Sequence, residues 1–286
     1  MVRESIRAVP VLAEHEIVVL GGGPAGIAAA TAAARYGADV LLVERYGFLG
    51  GMGTAGGVTN FAGLYALSHG ETRQVVHGVV DDLLSRIDRL GGLNAPQQGL
   101  QGRITVRSYD VSAYKCAADD LLLSAGAKLL FHAFAADVVM DGDRIAALIV
   151  ETKSGRRAIR AKVFIDCSGD ADLAARAGVP FELGDGHGGG LFPTTMFRVG
   201  GVDAEKALAA IGTFGGIDRL MEGAAGRYRF PRAGAIARPQ KNPTEWRVNV
   251  TQIRNREGRA MDAIDALQLS EGEVEGRRRC RNTSGS

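Results

Sequence analysis

The spacing of hydrophobic and polar residues in the first part of the chain predicts an α/β unit. Residues 17–20 are an apolar run of the kind that forms a buried parallel strand. Three glycines and a proline follow, and an alanine-rich stretch then predicts a helix. Residues 38–43 predict a second strand, which ends at Glu44. Residues 1–14 are expected to form an arm on the surface.

Two amphipathic helices are predicted after this unit. The first has apolar residues at helical spacing between Val76 and Leu90, and the glycine at 91 stops it. The second begins near Asp110, its predicted N-cap, and ends at Gly126.

From residue 127 the spacing becomes that of strands joined by tight turns. Strands are predicted over residues 127–131, 138–140, 144–152 and 156–160, as a β-meander inserted in the α/β unit. Residues 163–166 then predict a short buried strand, which leads through a small-residue turn into a helix over 171–177. Because strand, turn and helix recur here, we expect a second set of backbone amides to face the same ligand as the first turn.

The pattern changes again beyond Pro180. A strand over residues 194–200, a helix capped by Asp203 and a hairpin of residues 233–237 and 245–250 are predicted. This part of the chain, residues 181–260, is therefore expected to form a separate β-rich lobe.

The composition is that of a globular protein, with 46% hydrophobic and 23% charged residues. A formal net charge of +2 gives no reason to expect a nucleic-acid partner. Cys116, Cys167 and Cys280 lie far apart, so we predict no disulfide framework, thiol pair or metal site. No run has the roughly 18 apolar residues of a membrane helix, and we expect a cytoplasmic protein with no membrane partner.

Gly21, Gly23 and Gly26 have the G-x-G-x-x-G spacing of a dinucleotide-binding turn. The first glycine permits a sharp turn, the second lets a pyrophosphate approach the backbone, and the third lets the helix pack on the strand. Pro24 is tolerated in the first helical turn, where free N–H groups and the helix dipole attract a phosphate. Glu44 stands where a carboxylate accepts hydrogen bonds from a ribose diol, which favours FAD or NAD over a cofactor with a 2′-phosphate.

A glycine-rich turn that binds nothing is the alternative, since the chain has 40 glycines. The strand before the turn, the helix after it and the terminal acid all favour the dinucleotide. A second glycine-rich passage, residues 45–65, mixes glycines with apolar residues. We expect this passage to run buried beside the bound molecule, with a flexible loop as the alternative.

Three passages carry a resemblance to a known family: VVLGGGPAGIAAATAAARYGADVLLVER, GFLGGMGTAGG and VFIDCSGDADLAARAGVPFE. They are similar to FAD-dependent oxidoreductases of the glutathione-reductase-like superfamily, particularly the FAD-dependent dehydrogenases related to flavin fumarate reductases. The resemblance implies an α/β fold, with a Rossmann-like FAD-binding parallel sheet, an inserted β-meander and a smaller β-rich α+β substrate lobe. Residues 1–180 would form the FAD-binding domain, with the meander at about 134–160, and residues 181–260 the substrate lobe.

The resemblance also implies roles for single residues. The pyrophosphate would be held by Gly21, Gly23, Pro24 and Ala25, with Gly26 closing the motif. The adenosine half would lie beside Glu44, Arg45 and the backbone of Ala135, and the path towards the flavin would be lined by Gly50, Gly51, Met52 and Thr54. Ser168, Gly169 and Asp170 would form the second turn near the phosphates. The alternative for Asp170 is that it only caps the helix beginning at Ala171.

In that family a later strand and helix return to the first domain, and the sequence departs from the pattern here. Ser270 and Glu273 form a capping box that predicts a helix. Only about a dozen residues follow this signal. We therefore expect residues 261–286 to be a truncated helix and tail, with the C-terminal return strand and helix missing.

The leading hypothesis is an enzyme that transfers a hydride between FAD and an unidentified small organic substrate. A non-catalytic nucleotide-binding fragment of a longer flavoenzyme and an NAD-binding oxidoreductase are the alternatives. No catalytic residue is identified. Arg198, Arg232 and Asn249 are candidates for binding a carboxylate or carbonyl group, with solvated side chains as the alternative.

Overall fold

The computed structural model describes residue 2 and residues 8–99, 104–184, 190–212, 216–228 and 230–283. The strands are β1 (Val11–Leu20), β2 (Val40–Val43), β3 (Asn60–Ala62), β4 (Tyr65–Ser68), β5 (Glu71–Gln74), β6 (Gln97–Gly99), β7 (Ile104–Ser108), β8 (Lys128–Leu130), β9 (Phe134–Asp141), β10 (Arg144–Thr152), β11 (Gly155–Asp166), β12 (Phe197–Val199), β13 (Ile236–Pro239) and β14 (Trp246–Asn249). The helices are α1 (Pro24–Arg35), α2 (Val79–Arg89), α3 (Val111–Ser124), α4 (Asp172–Arg176), α5 (Ala204–Ile211), α6 (Gly216–Ala224) and α7 (Ala266–Thr283), with a short 3-10 helix at Gly51–Gly53.

These elements form two compact units. Unit 1 comprises Met1–Ala55, Gly78–Leu90 and Ser112–Phe181, and unit 2 comprises Gly56–His77, Gly91–Val111 and Glu182–Ser286.

Unit 1 is built on a six-stranded sheet in the order β8-β2-β1-β11-β10-β9. The first four of these strands are parallel, and β10 and β9 continue the sheet antiparallel to β11. The predicted meander is therefore an extension of the central sheet. Because β1 and β2 are neighbours, their carboxyl ends lie side by side, and such an edge is where ligands bind in open α/β sheets.

Two predicted strand boundaries in this sheet are wrong. Residues 156–160 and 163–166 were predicted as separate strands, but both belong to β11, and Val163 is 50% exposed. The predicted surface arm is wrong for residues 11–14, because β1 begins at Val11 and pairs with β11 from there. The reason is physical: polar residues such as Glu14 interrupt the apolar run, yet an outer strand end with one solvated face accepts them.

The core of unit 1 lies on the faces of this sheet. Val18, Leu41, Val43, Leu148 and Ile159 are buried in one cluster. Helix α1 contributes an apolar stripe whose alanines let it lie close to the sheet, and α3 buries Tyr114, Ala118, Leu121 and Leu122. Close packing of small residues fixes α1 over the edge formed by β1 and β2.

The described residues of unit 2 form three small antiparallel sheets, ordered β12-β14-β13, β3-β7-β6 and β4-β5. The predicted cap of α5 is confirmed, since the Asp203 carboxylate accepts a hydrogen bond from Lys206 N at 3.1 Å. The predicted hairpin corresponds to β13 and β14.

The predicted start of the last helix is wrong. Helix α7 begins at Ala266, and the Asp265 carboxylate caps it by accepting a hydrogen bond from Gln268 N at 2.8 Å. Ser270 lies inside the helix, where its hydroxyl donates to the Ala266 carbonyl at 2.7 Å. A serine followed by an acidic residue has this second way to bond inside a helix, so the capping-box pattern was ambiguous.

Arg279 links α7 to the preceding segment, and Glu275 of the same helix holds the Arg279 side chain in position. The Glu275 carboxylate accepts hydrogen bonds from Arg278 and Arg279, and Arg279 also donates to the Gln252 carbonyl at 2.8 Å. These bonds, led by that from Arg278, lower the pKa of Glu275 to about 2. Only 20% of the Glu275 side chain is exposed, which limits screening by solvent.

We predict that Glu275→Gln destabilises the protein by about 0.5–1 kcal/mol at neutral pH. The folded-state pKa of Glu275 lies below the value of about 4.3 expected in the unfolded chain, so its stabilisation is present above pH ~4.3 and disappears as the pH falls towards the folded-state value. Urea or thermal unfolding across this pH range measures the effect.

Glu273→Gln is the matched control on the same helix, because Glu273 is 63% exposed and, among the described residues, pairs only with Arg277. Equal stability of the two variants at neutral pH, or a deficit in Glu275→Gln that does not shrink in acid, would contradict the assignment.

Candidate functional site

The turn between β1 and α1 requires glycine at its first motif position. Gly21 has a φ of +98°, and an added Cβ would lie 2.3 Å from the Cys167 carbonyl oxygen. The Gly21 amide donates to the Val43 carbonyl at 2.8 Å, which ties the turn to the end of β2. Contacts within the protein itself therefore require glycine at position 21.

The other two motif glycines have different requirements. A Cβ on Gly26 would lie 1.8 Å from the Gly21 carbonyl oxygen, so this glycine allows α1 to pack against the end of β1. A Cβ on Gly23 would meet only the Gly51 Cα at 3.9 Å, and the φ of Gly23 is −70°. The fold would accept a methyl group at Gly23, so the packing of the protein does not itself require glycine at this position.

The N-terminus of α1 has unsatisfied donors. No acceptor among the described residues takes a hydrogen bond from the amides of Gly23, Ala25 or Gly26, and no side chain in that part of the chain caps the helix. Pro24 has no N–H to satisfy, and no acidic residue lies in the first turn. These amides and the positive end of the helix dipole make the turn a site for a phosphate-like anion.

Glu44 is buried at the end of β2, with 6% of its surface exposed. Its Oε2 accepts a hydrogen bond from Gly22 N at 2.7 Å, and its Oε1 accepts one from Tyr46 N at 2.8 Å. The carboxylate is thus held beside the turn by two backbone donors. Each carboxylate oxygen has a second lone pair, so Glu44 can still accept from a bound diol.

Glu44 lines a cleft at the carboxyl ends of β1 and β2. The cleft is lined by Leu20, Gly21, Val43, Glu44, Arg45, Ala133, Phe134, Ala135, Ser168 and Asp172. The structure therefore brings together five residues for which the sequence predicted a cofactor role: Gly21, Glu44, Arg45, Ala135 and Ser168. Phe134 and Asp172 also line it and were not predicted.

The second glycine-rich passage packs against the first turn. Gly50 N donates to the Gly22 carbonyl at 2.8 Å, and a Cβ on Gly51 would lie 2.9 Å from the Gly23 Cα. The Thr54 hydroxyl donates to the Leu49 carbonyl at 2.7 Å, which holds the passage in place. Met52 is 63% exposed, so the protein itself does not bury this side chain, and its burial beside a bound molecule stays a prediction.

The second turn, after β11, differs from the first because its helix is already capped. The Asp166 carboxylate accepts hydrogen bonds from Ser168, Leu173 and Ala174. Burial alone would raise the pKa of Asp166, but these hydrogen bonds outweigh it and lower the pKa. The predicted second set of free backbone amides at the start of α4 is therefore largely occupied by the protein.

The alternative that Asp170 caps the following helix is wrong. Helix α4 begins at Asp172 with Ala171 as its N-cap residue, and Asp170 is exposed. Gly169 is also exposed, and neither residue lines the cleft, whereas Ser168 does. Sequence reasoning missed Asp166, although a carboxylate directly before a small-residue turn is a signal for a capping side chain.

The predicted substrate-binding candidates lie in unit 2. Arg232 donates to the carbonyl and the Oδ1 of Asn249, so these two candidates contact each other. Arg198 is exposed and forms an ion pair with Glu245 at 3.4 Å, as a solvated arginine would.

No cluster of three or more His, Cys, Asp or Glu side chains in the described ranges could hold a metal ion. Burial, with a contribution from Asp166, raises the pKa of the Cys167 thiol, which disfavours the nucleophilic thiolate. None of the helices that the structure describes is long and apolar enough to span a bilayer.

Comparison with known proteins identifies related sequences. A family model described as FAD dependent oxidoreductase matches residues 16–285. A thiamine thiazole synthase of Methanococcus vannielii is 30% identical over 174 residues, which cover 57% of this chain and 60% of that protein. A thiamine thiazole synthase of Aeropyrum pernix is 29% identical over 135 residues, which cover 47% of this chain and 43% of that protein. The chain thus matches about 60% of the length of the first of these relatives.

Solved structures share the fold. A geranylgeranyl bacteriochlorophyll reductase-like protein from Thermoplasma acidophilum has a TM-score of 0.53 at 17% identity, covering 90% of this chain and 61% of that chain. CabE, an aromatic hydroxylase from angucycline biosynthesis, also has a TM-score of 0.53 at 17% identity, covering 92% of this chain and 48% of that chain. The predicted α/β class with a Rossmann-like, parallel-rich sheet is confirmed.

The different surroundings of Gly23 and Gly26 generate a prediction. Gly23→Ala should leave the thermal midpoint unchanged or slightly raised and weaken FAD binding by about tenfold or more, because the new methyl group enters only the ligand's space. Gly26→Ala should cost about 1–3 kcal/mol of stability, because its methyl group meets the Gly21 carbonyl.

Thermal unfolding measures the effect on stability. Titration with FAD, monitored by the quenching of flavin fluorescence, measures the effect on affinity. Gly37→Ala is not a suitable control because Gly37 has a φ of +87°. The matched comparison is between the two motif glycines, and FAD affinity of Gly23→Ala equal to that of the unchanged chain would contradict the assignment.

Proposed function

We propose, since the chain belongs to the FAD dependent oxidoreductase family, that it transfers a hydride between FAD and a small organic substrate. FAD is its cofactor, and the chain is an enzyme of this family. The observation that carries the proposal is the uncapped first turn, where three backbone amides without acceptors among the described residues lie beside the buried Glu44.

The amides of Gly23, Ala25 and Gly26 would hold the pyrophosphate of FAD. Two negatively charged phosphates satisfy these donors and interact favourably with the dipole of the 12-residue helix α1. Gly23 leaves the space that the phosphates need. The residues present therefore fit a dinucleotide.

Glu44, Arg45 and Ala135 would bind the adenosine half. Glu44 would accept from the ribose diol while Gly22 and Tyr46 hold its carboxylate in position. Ala135 and Ser168 would line the remaining wall of the cleft. Gly169 and Asp170 are exposed and do not line the cleft, so we assign them no contact with FAD. The cofactor role of these two residues stays a prediction.

Gly50, Gly51, Met52 and Thr54 would lie along the path from the pyrophosphate towards the flavin. The hydrogen bond between Gly50 N and the Gly22 carbonyl supports this assignment, because it places the passage directly beside the first turn. When bound, FAD supplies a ring system that accepts or donates the hydride, and the chain orients that ring and its substrate.

The finer classification is also a proposal. The motifs support a place in the glutathione-reductase-like superfamily, near the dehydrogenases related to flavin fumarate reductases. The predicted division at residues 180 and 260, the truncated C-terminus, the cytoplasmic location and the absence of a nucleic-acid partner stay predictions.

Purified protein incubated with FAD should retain stoichiometric flavin and show the visible flavin absorbance. Under anaerobic conditions, a reducing substrate from a panel of small organic compounds should bleach that absorbance, and oxygen or another acceptor should restore it.

The same experiment separates the alternatives. Flavin that is bound and bleached by dithionite, but by no member of the panel in either direction, would favour the non-catalytic nucleotide-binding fragment. Protein that binds NAD and retains no FAD would favour the NAD-binding oxidoreductase and would contradict the proposal.

A further inference from the structure

Strand β14 of unit 2 places Arg247 between two other arginines. In the antiparallel sheet β12-β14-β13, Arg247 pairs directly with Arg198 on one side and with Arg238 on the other. Directly opposed residues of antiparallel strands project from the same face of the sheet, and like charges at such positions are unfavourable. The arrangement therefore needs a compensating negative charge.

Arg198 has such a charge within the protein. It forms an ion pair with Glu245, which lies directly before β14 and two residues before Arg247 in the chain. Arg247 has no such partner: no carboxylate of the described residues lies within ion-pair distance of its guanidinium group, and only 5% of the residue is exposed. Burying a cation without a counter-ion is costly, so an anion would stabilise this part of unit 2.

The hydrogen bonds of Arg247 leave one N–H group of its guanidinium without an acceptor. Its Nη2 donates to Asn60 Oδ1 at 2.9 Å and its Nη1 contacts Met196 Sδ at 3.1 Å, and both partners are neutral. The Nε of Arg247 is buried and has no hydrogen-bond partner. A buried guanidinium N–H without an acceptor is one of the more costly unsatisfied groups in a protein.

The neighbouring Arg238 adds a second positive charge on the same face. Burial lowers the pKa of Arg247, and the charge of Arg238 lowers it further, which reports how close the two cations are. Arg238 is only partly buried, so the row of three arginines formed by Arg198, Arg247 and Arg238 is open to solvent on the side of Arg238. All residues of this arrangement, including Asn60, belong to unit 2.

We propose that Arg247, together with Arg238 and Asn60, binds a carboxylate group of a small organic acid in unit 2. The planar guanidinium fork, with its unpaired Nε–H, matches the two oxygens of a carboxylate. Asn60 uses its Oδ1 towards Arg247 and so presents its amide NH₂ group as a further donor. That this acid is the substrate of the enzyme rests on the proposed function, whereas the binding itself does not.

Malonate is the probe for this site, with inorganic phosphate and chloride as comparison anions at equal ionic strength. The thermal midpoint of the FAD-loaded chain should rise with malonate concentration, because a ligand that binds only the folded state stabilises it. Arg247→Met should abolish this rise, and should itself raise the midpoint without malonate, because it removes the buried cation.

Arg198→Gln is the matched control, since it removes a charge from the same row at the position that Glu245 already neutralises. It should keep the response to malonate. Arg247→Lys, which keeps the charge but lacks the planar fork, should weaken malonate binding by about tenfold or more and serves if Arg247→Met does not fold.

A midpoint that does not respond to malonate, an equal response in Arg247→Met, or a response to phosphate larger than that to malonate would overturn the proposal. FAD titration of each variant is a separate measurement. If Arg247→Met binds FAD normally but loses the malonate response, the carboxylate site stands, and if the unchanged chain fails to bind FAD, only the proposed function fails.

Discussion

The close contact between the Gly21 carbonyl and Gly26 is the constraint on which the candidate site depends. A side chain at position 26 would occupy the same space as that carbonyl oxygen, so glycine alone lets α1 begin directly over the end of β1. Gly21 in turn packs against the Cys167 carbonyl at the end of β11. These two contacts orient the first helical turn, and with it the free amides, towards the edge of the sheet.

The two strand-to-helix turns at this edge have different roles because of one side chain. At the second turn Asp166 supplies the acceptor for the first amides of α4. At the first turn no described side chain does so, and Glu44 instead bonds to Gly22 and Tyr46 around the turn. An anion is therefore needed at one turn and not at the other. The uncapped amides, and not the glycine spacing alone, are the physical reason for placing a pyrophosphate there.

Local patterns in the sequence predicted unit 1 well. The motif glycines, Pro24 and Glu44 act within about 25 residues of one another, so spacing along the chain determines their arrangement. The ends of strands were less predictable where one face of the strand is exposed to solvent. Strands β1 and β11 extend past their apolar residues because one face of each outer end is solvated. The cap at Asp265 was missed because Ser270 offered an equally good local pattern, and only tertiary packing separates the two. Arg247 could not be singled out, because its burial and its pairing with Arg238 follow from strand register, which no local pattern contains.

A crystal structure of the FAD complex tests the central claim most directly. The relevant measurement is the distance from the pyrophosphate oxygens to the amide nitrogens of Gly23, Ala25 and Gly26. If the account is correct, at least one phosphate oxygen lies within hydrogen-bonding distance, about 2.7–3.2 Å, of these nitrogens. FAD bound elsewhere, with the amides at the start of α1 bonded to protein or solvent only, would contradict it.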